Sequence, residues 1–312
     1  MASTHHAFAL TTEWSKALKQ VYTCLERQQY SRFRTDLLNL AVTLQHHAEL
    51  HPDVLLGAMQ ADKDMPEILA RPLHCAILCE LTCRRLKWPL FKRLELVAAA
   101  LTYDLGFHDL LERLLQQSKP LTEEQWQQVR AHPGKGHALL VAAGIHDAGW
   151  LDAVLQHHER LDGSGYPDGL AGDKISEGAR ILGLADIYTA MIRPRGYRRQ
   201  KLALEALRDL FQAEALGMDP KLVKVFIKEL GLFPPGSLVR LSNEEVAMVY
   251  ARSKRGPLPR VAAVMSDKDD YYPTPVERAL SDELSITTML GPQHYKSLKA
   301  SLSSYWLRQG MI

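Results

Sequence analysis

The chain contains no apolar run near 18 residues and no charged, hydrophobic, small-residue leader between Met1 and Leu10. It therefore predicts neither a membrane-spanning helix nor a secreted precursor, and a cytoplasmic location is expected. An excess of one charge is lacking too. The 38 basic and 36 acidic residues leave +2, too balanced for broad nucleic-acid binding, so an anionic ligand must be met by a local cluster. Cysteine is scarce, at 4. Three of the four, Cys75, Cys79 and Cys83, recur every fourth residue along one helical stripe, where they are poorly placed for disulfides with one another and read as small buried side chains. Low-complexity and collagen-like segments are also missing. With 46% hydrophobic and 24% charged residues over 312 positions, the chain reads as one large globular domain with smaller attachments.

Apolar spacing predicts helices over Thr12–Gln29 and Phe33–Leu50, then Asp53–Ala61, and Met65–Trp88 with a break at Pro72. Leu90–Tyr103 is dense enough in Leu and Ala for a buried helix and ends in Tyr103-Asp104-Leu105-Gly106. Further helices are expected over Asp109–Gln117, from an N-cap at Thr122 to His132-Pro133, and over Gly136–Ala143, Trp150–His158, Ile175–Met191, Lys201–Leu210 and Pro220–Leu230. After Phe233-Pro234-Pro235-Gly236 the character changes. Ser237–Leu241, Glu244–Ala251 and Arg260–Met265 are short, rich in β-branched residues and separated by turn residues, as in a small antiparallel sheet, before a last helix over Pro292–Leu307. The expected architecture is mainly α, with an N-terminal helical segment (1–52), a helical body (53–230) and a small β module with a C-terminal helix (231–312).

One stretch stands out, His157-His158-Glu159-Arg160-Leu161-Asp162-Gly163-Ser164-Gly165-Tyr166-Pro167-Asp168-Gly169-Leu170. Paired imidazoles at a helix end run into a glycine-rich loop that Pro167 stiffens, which suits a metal site with a shaped rim. Taken alone, the histidine pair would be better explained by the helix macrodipole. The whole run, however, resembles the second signature of the HD-GYP family, bacterial phosphohydrolases that cleave cyclic di-GMP.

The resemblance covers His74 to Arg199 closely and the β module more loosely, and implies an HD-type helical bundle. It implies metal ligation by His74, Asp104, His132, His157, His158 and Asp186, with Asp104 bridging two ions and serving catalysis. Imidazoles mixed with carboxylates suit iron or manganese better than calcium or magnesium. Two departures bear on activity. Tyr103 stands where the family has the histidine of its His-Asp signature, and Phe107 where it has a lysine. A phenol whose reference pKa is near 10 is a poor ligand at neutral pH. Ala70 stands where three-metal members carry a glutamate, so one or two ions are expected. His108, next to Phe107, would point elsewhere and is not expected to replace the lysine.

Past Asp186 comes Arg193-Pro194-Arg195-Gly196-Tyr197-Arg198-Arg199, a cluster of four arginines suited to phosphate oxygens. The resemblance places Arg195, Arg198 and Tyr166 at the phosphates of cyclic di-GMP. The expected function is a divergent, metal-dependent cyclic di-GMP phosphodiesterase with weak or lost hydrolysis, acting on cyclic di-GMP or a related nucleotide. The alternative is a non-catalytic module that binds the nucleotide or a signalling partner such as a diguanylate cyclase.

Overall fold

The structure is a computed structural model, described for residues 7–115, 117, 119–193, 200–212, 217–253, 256, 258–268, 270–291, 293 and 295–311. Its helices are α1 (Ala7–Glu26), α2 (Tyr30–Leu50), α3 (Pro52–Ala61), α4 (Glu67–Arg85), α5 (Leu90–Ala100), α6 (His108–Leu115), α7 (Glu123–Ala142), α8 (Ala148–Gln156), α9 (Glu177–Ile192), α10 (Ala203–Phe211) and α11 (Pro220–Leu230). The strands β1 (Leu238–Leu241), β2 (Val246–Ala251), β3 (Arg260–Met265), β4 (Tyr271–Arg278) and β5 (Ile286–Met289) follow, and α12 (Tyr295–Arg308) is the last element. No helix among the described residues is long and apolar enough to cross a membrane.

Helix α4 lies at the centre, packed on α5 and α9 and touching α1, α2, α3 and α11. It runs straight through Pro72, where a break was expected. The proline costs about 3 kcal/mol in a helix interior. Leu73, Ile77, Leu78 and Leu81 on this helix are buried, at about 1.5–3 kcal/mol each, so packing outweighs the lost backbone bond. Cys24, Cys75, Cys79 and Cys83 are all buried free thiols. One apolar core runs from Trp14 on α1 to Phe226 on α11, so the first two helices share the core of the body.

The five strands form one antiparallel sheet ordered β4-β3-β2-β1-β5. Strand β2 is central and buried on both faces. Met248 and Tyr250 join Leu302 and Trp306 on one side, and Ala247 and Val249 pack with Val239 and Val261 on the other. Strands β4 and β5 escaped the sequence analysis. Both are edge strands, and β4 carries Pro273 and Pro275, which edges tolerate and which erase a strand signal.

The sheet is fastened to the body by Arg252, which pairs with Asp53 and Glu229, and by Trp306 of α12, whose indole N–H donates to Tyr250 O at 2.9 Å. A Cβ at Gly57 would come 2.6 Å from the Trp306 ring. Gly57→Ala should therefore destabilise the protein by about 1–3 kcal/mol, as overpacked cores do. Chemical denaturation followed by tryptophan fluorescence checks this, and an unchanged midpoint would mean that the contact is loose.

Candidate metal centre

Five elements deliver the cleft. The turn after α5 presents Tyr103 and Asp104, α7 brings His132, the end of α8 carries His157 and His158, α9 supplies Asp186, and α4 contributes Arg71. The turn is pinned by Trp150, whose indole N–H donates to Thr102 Oγ1 at 2.8 Å, and by Tyr22 Oη donating to Leu101 O at 2.8 Å. Close backbone approaches then set the spacing. A Cβ on Gly106 would lie 2.3 Å from His132 O, and one on Gly183 would lie 2.5 Å from His157 O, so only glycine lets these segments meet.

Helix α7 starts at Thr122 with a capping box, Thr122 Oγ1 accepting from Gln125 N and Gln125 Oε1 from Thr122 N. It then continues through Pro133, where the sequence pattern suggested an end. Pro133 has no N–H to offer Val129 O, its partner four residues back. The freed carbonyl accepts instead from His132 Nδ1, 2.6 Å away. His157 Nδ1 reaches Val154 O at 2.7 Å in the same way. Carbonyl oxygens only accept, so both Nδ1 atoms carry the proton and both Nε2 atoms present lone pairs.

Those two Nε2 atoms face each other at 3.2 Å. No proton lies between them when both rings are neutral, and neutral they are. Burial, opposed by Asp104, pushes His132 below its ordinary pKa, and burial followed by the neighbouring His132 brings His157 down to about 4. Burial and then His157 lower His158 well below its ordinary value too. Two nitrogens held by one ion at about 2.0–2.1 Å and roughly 90–110° lie about 2.8–3.4 Å apart. The facing lone pairs thus fit a shared cation, with ligand atoms of His132, His157 and His158 all within 4.8 Å of one another.

The carboxylate half is built differently. Asp186 Oδ1 accepts from Arg71 Nη2 at 2.6 Å and from Tyr103 Oη at 2.8 Å. Asp104 Oδ2 lies 3.4 Å from Arg71 Nη1, while its Oδ1 lies 3.9 Å from His132 Nε2. Burial works to lower the Arg71 pKa, but Tyr103, Asp104 and Asp186 raise it well above its ordinary value. Burial foremost raises the Tyr103 phenol well above 10, against the pull of Arg71, so it keeps its proton.

The cleft, about 550 Å³, thus brings together Asp104, His132, His158, Asp186 and Tyr166, with His157 behind them. His74 is not among them. It is buried beside Tyr188, with ring centroids 6.2 Å apart; its Nδ1 has no hydrogen-bond partner, and no ion pair joins it to either carboxylate among the described residues. Arg71, one turn earlier on α4, is the residue that reaches them. The only sequence signal for it was its place three positions before His74. Phe107 lies against His132, with centroids 5.2 Å apart, while His108 turns towards Tyr22.

On the rim, Tyr166 stacks on His158 at 4.6 Å between centroids. The loop holding it is tied by the buried Glu159 carboxylate, which accepts from Asp168 N at 2.8 Å and Leu170 N at 3.0 Å. Glu159 also escaped the sequence analysis as an anchor. Arg195 and Arg198 lie outside the described residues. Arg193 does not belong with them, because its side chain is buried against Glu67 and backbone carbonyls.

A helical bundle gathering three neutral imidazoles and two carboxylates in one cleft defines a class of helical metal-site domains. A family profile described as HD domain matches residues 43–222. Cyclic di-GMP phosphodiesterase PA4108 of Pseudomonas aeruginosa is 32% identical over 249 residues, covering 76% of this chain and 59% of the relative. The 3'3'-cGAMP-specific phosphodiesterase 3 of Vibrio cholerae is 30% identical over 173 residues, covering 55% of this chain and 37% of the relative. The chain therefore spans less than two thirds of these relatives' own lengths. Among solved structures, Bd1817, an HDG"Y"P protein from Bdellovibrio bacteriovorus, matches with a TM-score of 0.57 at 17% identity, covering 71% of this chain and 70% of the other, and so shares the fold. The chain belongs to the HD domain family.

Proposed function

We propose that this chain binds cyclic di-GMP or a related cyclic dinucleotide in the cleft beside a metal held by His132, His157 and His158, and hydrolyses it weakly or not at all. The observation that carries the metal is the pair of facing Nε2 lone pairs at 3.2 Å, each ring locked by its own Nδ1 bond to a carbonyl. Imidazole nitrogen joined by a carboxylate oxygen of Asp104 favours iron or manganese over calcium or magnesium. The nucleotide is supported by the names of the relatives and by the lining of the cleft. Phe107 and Trp126 line it with aromatic rings, and stacking of a base on such rings is worth about 1–3 kcal/mol per base. Arg160 adds a cation at the rim.

A bound metal of this type supplies Lewis acidity, lowering the pKa of water towards neutrality and stabilising charge on phosphoryl oxygens. The chain's own groups orient the phosphodiester and supply the cationic side chains around it. The arrangement around Arg71 and Tyr103 favours the second reading, in which the same groove binds the nucleotide, or presents it to a signalling partner, without turning it over.

Calorimetry with cyclic di-GMP tests the groove. The Arg195→Ala, Arg198→Ala double variant should bind more weakly while its metal content stays unchanged. Charge-assisted phosphate contacts are worth about 1.5–3 kcal/mol each, roughly ten- to hundred-fold per arginine. Equal affinity in the double variant removes these arginines from the site, and no binding by the parent removes the nucleotide.

A further inference from the structure

We infer that the Arg71 guanidinium stands as a fixed cation where a second metal would have to sit between Asp104 and Asp186, so that the chain takes one metal ion and not two. The inference rests on the proposed reading only for the ion at the three histidines.

One guanidinium spans both carboxylates, 2.6 Å from Asp186 and 3.4 Å from Asp104, and all three side chains are at most 7% exposed. An ion within ligand distance of these oxygens would lie against a buried positive charge that arginine does not give up and that water cannot screen. The lone pairs of Asp186 Oδ1 are committed as well, whereas Asp104 Oδ2 meets the guanidinium by charge alone and accepts no hydrogen bond among the described residues. Asp186 Oδ1 accepts from both Arg71 and Tyr103, and the Tyr103 hydroxyl, which donates there, faces the Cys75 thiol at 3.6 Å. An imidazole at position 103 would bring a nitrogen lone pair where the phenol brings a proton. His74 supplies nothing in its place, because it faces Tyr188 and not the carboxylates.

The same contact has a constructive side. The Arg71 charge draws Asp104 Oδ2 to 3.4 Å without a hydrogen bond, and Oδ1 lies on the other side, 3.9 Å from His132 Nε2. Asp104 can then complete a set of three histidines and one carboxylate around a single ion. Arg71 is in this sense a positioning residue for the occupied half and a substitute for the ion in the other.

The test is metal stoichiometry. The full chain is purified anaerobically without chelator, titrated with Mn²⁺ to ten equivalents, desalted, and assayed by elemental analysis and electron paramagnetic resonance. One ion per chain with the six-line signal of isolated Mn²⁺ is expected, falling to none in His157→Ala. Arg71→His combined with Tyr103→His should raise the content to two, with an exchange-coupled signal. Two ions in the parent, none in the parent, or a folded double variant that still holds one would overturn the inference. If the double variant does not fold, the parent titration decides alone, saturation at one supporting the inference and a second binding event ending it. Nucleotide binding is measured in parallel. Its absence in a protein carrying one ion ends the proposed function and leaves this inference standing.

Discussion

Arg71→His, Tyr103→His and Phe107→Lys introduced together should give readily measured turnover of cyclic di-GMP, a gain of at least about 10²-fold over the slow or absent turnover proposed for the parent. A guanidinium matches the charge of an ion but not its Lewis acidity, so water beside Arg71 stays fully protonated at neutral pH. Phe107 lies against His132 and places an apolar ring where a cation could meet the phosphodiester. Removing a single preorganised electrostatic contact from an active site costs about 10²–10³ in rate, which sets the scale for restoring several. Sequence reasoning by itself would exchange only Tyr103 and Phe107. The structure expects that double variant to remain slow, because Arg71 still neutralises Asp186 at 2.6 Å. Product formation is followed by chromatography with manganese and ferrous iron supplied in turn, His157→Ala serving as the blank. Fast turnover by the parent would sink the account of a degenerate site. A triple variant that holds two ions yet stays inert would assign the chain to binding alone.

Arg193→Ala should cost about 3–5 kcal/mol of stability, the scale for removing one partner of a buried ion pair. The Arg193 side chain is 1% exposed and its Nε lies 2.9 Å from both oxygens of Glu67, which is itself 11% exposed. Its Nη atoms also donate to Asp62 O at 3.1 Å and Met65 O at 3.4 Å, closing the connection between α3 and α4 against the end of α9. Truncation leaves a carboxylate and backbone carbonyls buried without a donor. Denaturant unfolding of parent and variant measures the loss. A change below about 1 kcal/mol would mean that water enters and replaces the guanidinium. The same variant separates Arg193 from its neighbours, since nucleotide affinity should fall with Arg195 and Arg198 and not with the folded fraction of Arg193→Ala.

Local pattern carried far in this chain. The apolar spacing of α5 and α11, the N-cap at Thr122 and the change of character at Phe233-Pro234-Pro235-Gly236 are consequences of neighbouring residues, and each is found in the structure. The edge strands were not legible, because pairing along one edge leaves most side chains exposed and erases the alternation that marks a strand. Helices α4 and α7 cross their prolines because burial outweighs a cost that propensity alone makes decisive.

The sequence by itself determined the kinds of group available for the site, namely imidazoles at 132, 157 and 158, carboxylates at 104 and 186, and a phenol at 103. Only the tertiary structure decided which of them meet. Residues 71 and 74 lie one turn apart on α4, about 60° around the helix. Spacing cannot choose between them, but the cleft can, since it admits Arg71 to the carboxylates and turns His74 towards Tyr188. Likewise, Pro133 in the sequence reads as a helix breaker, and only in the folded chain does the carbonyl it frees become the acceptor that fixes His132.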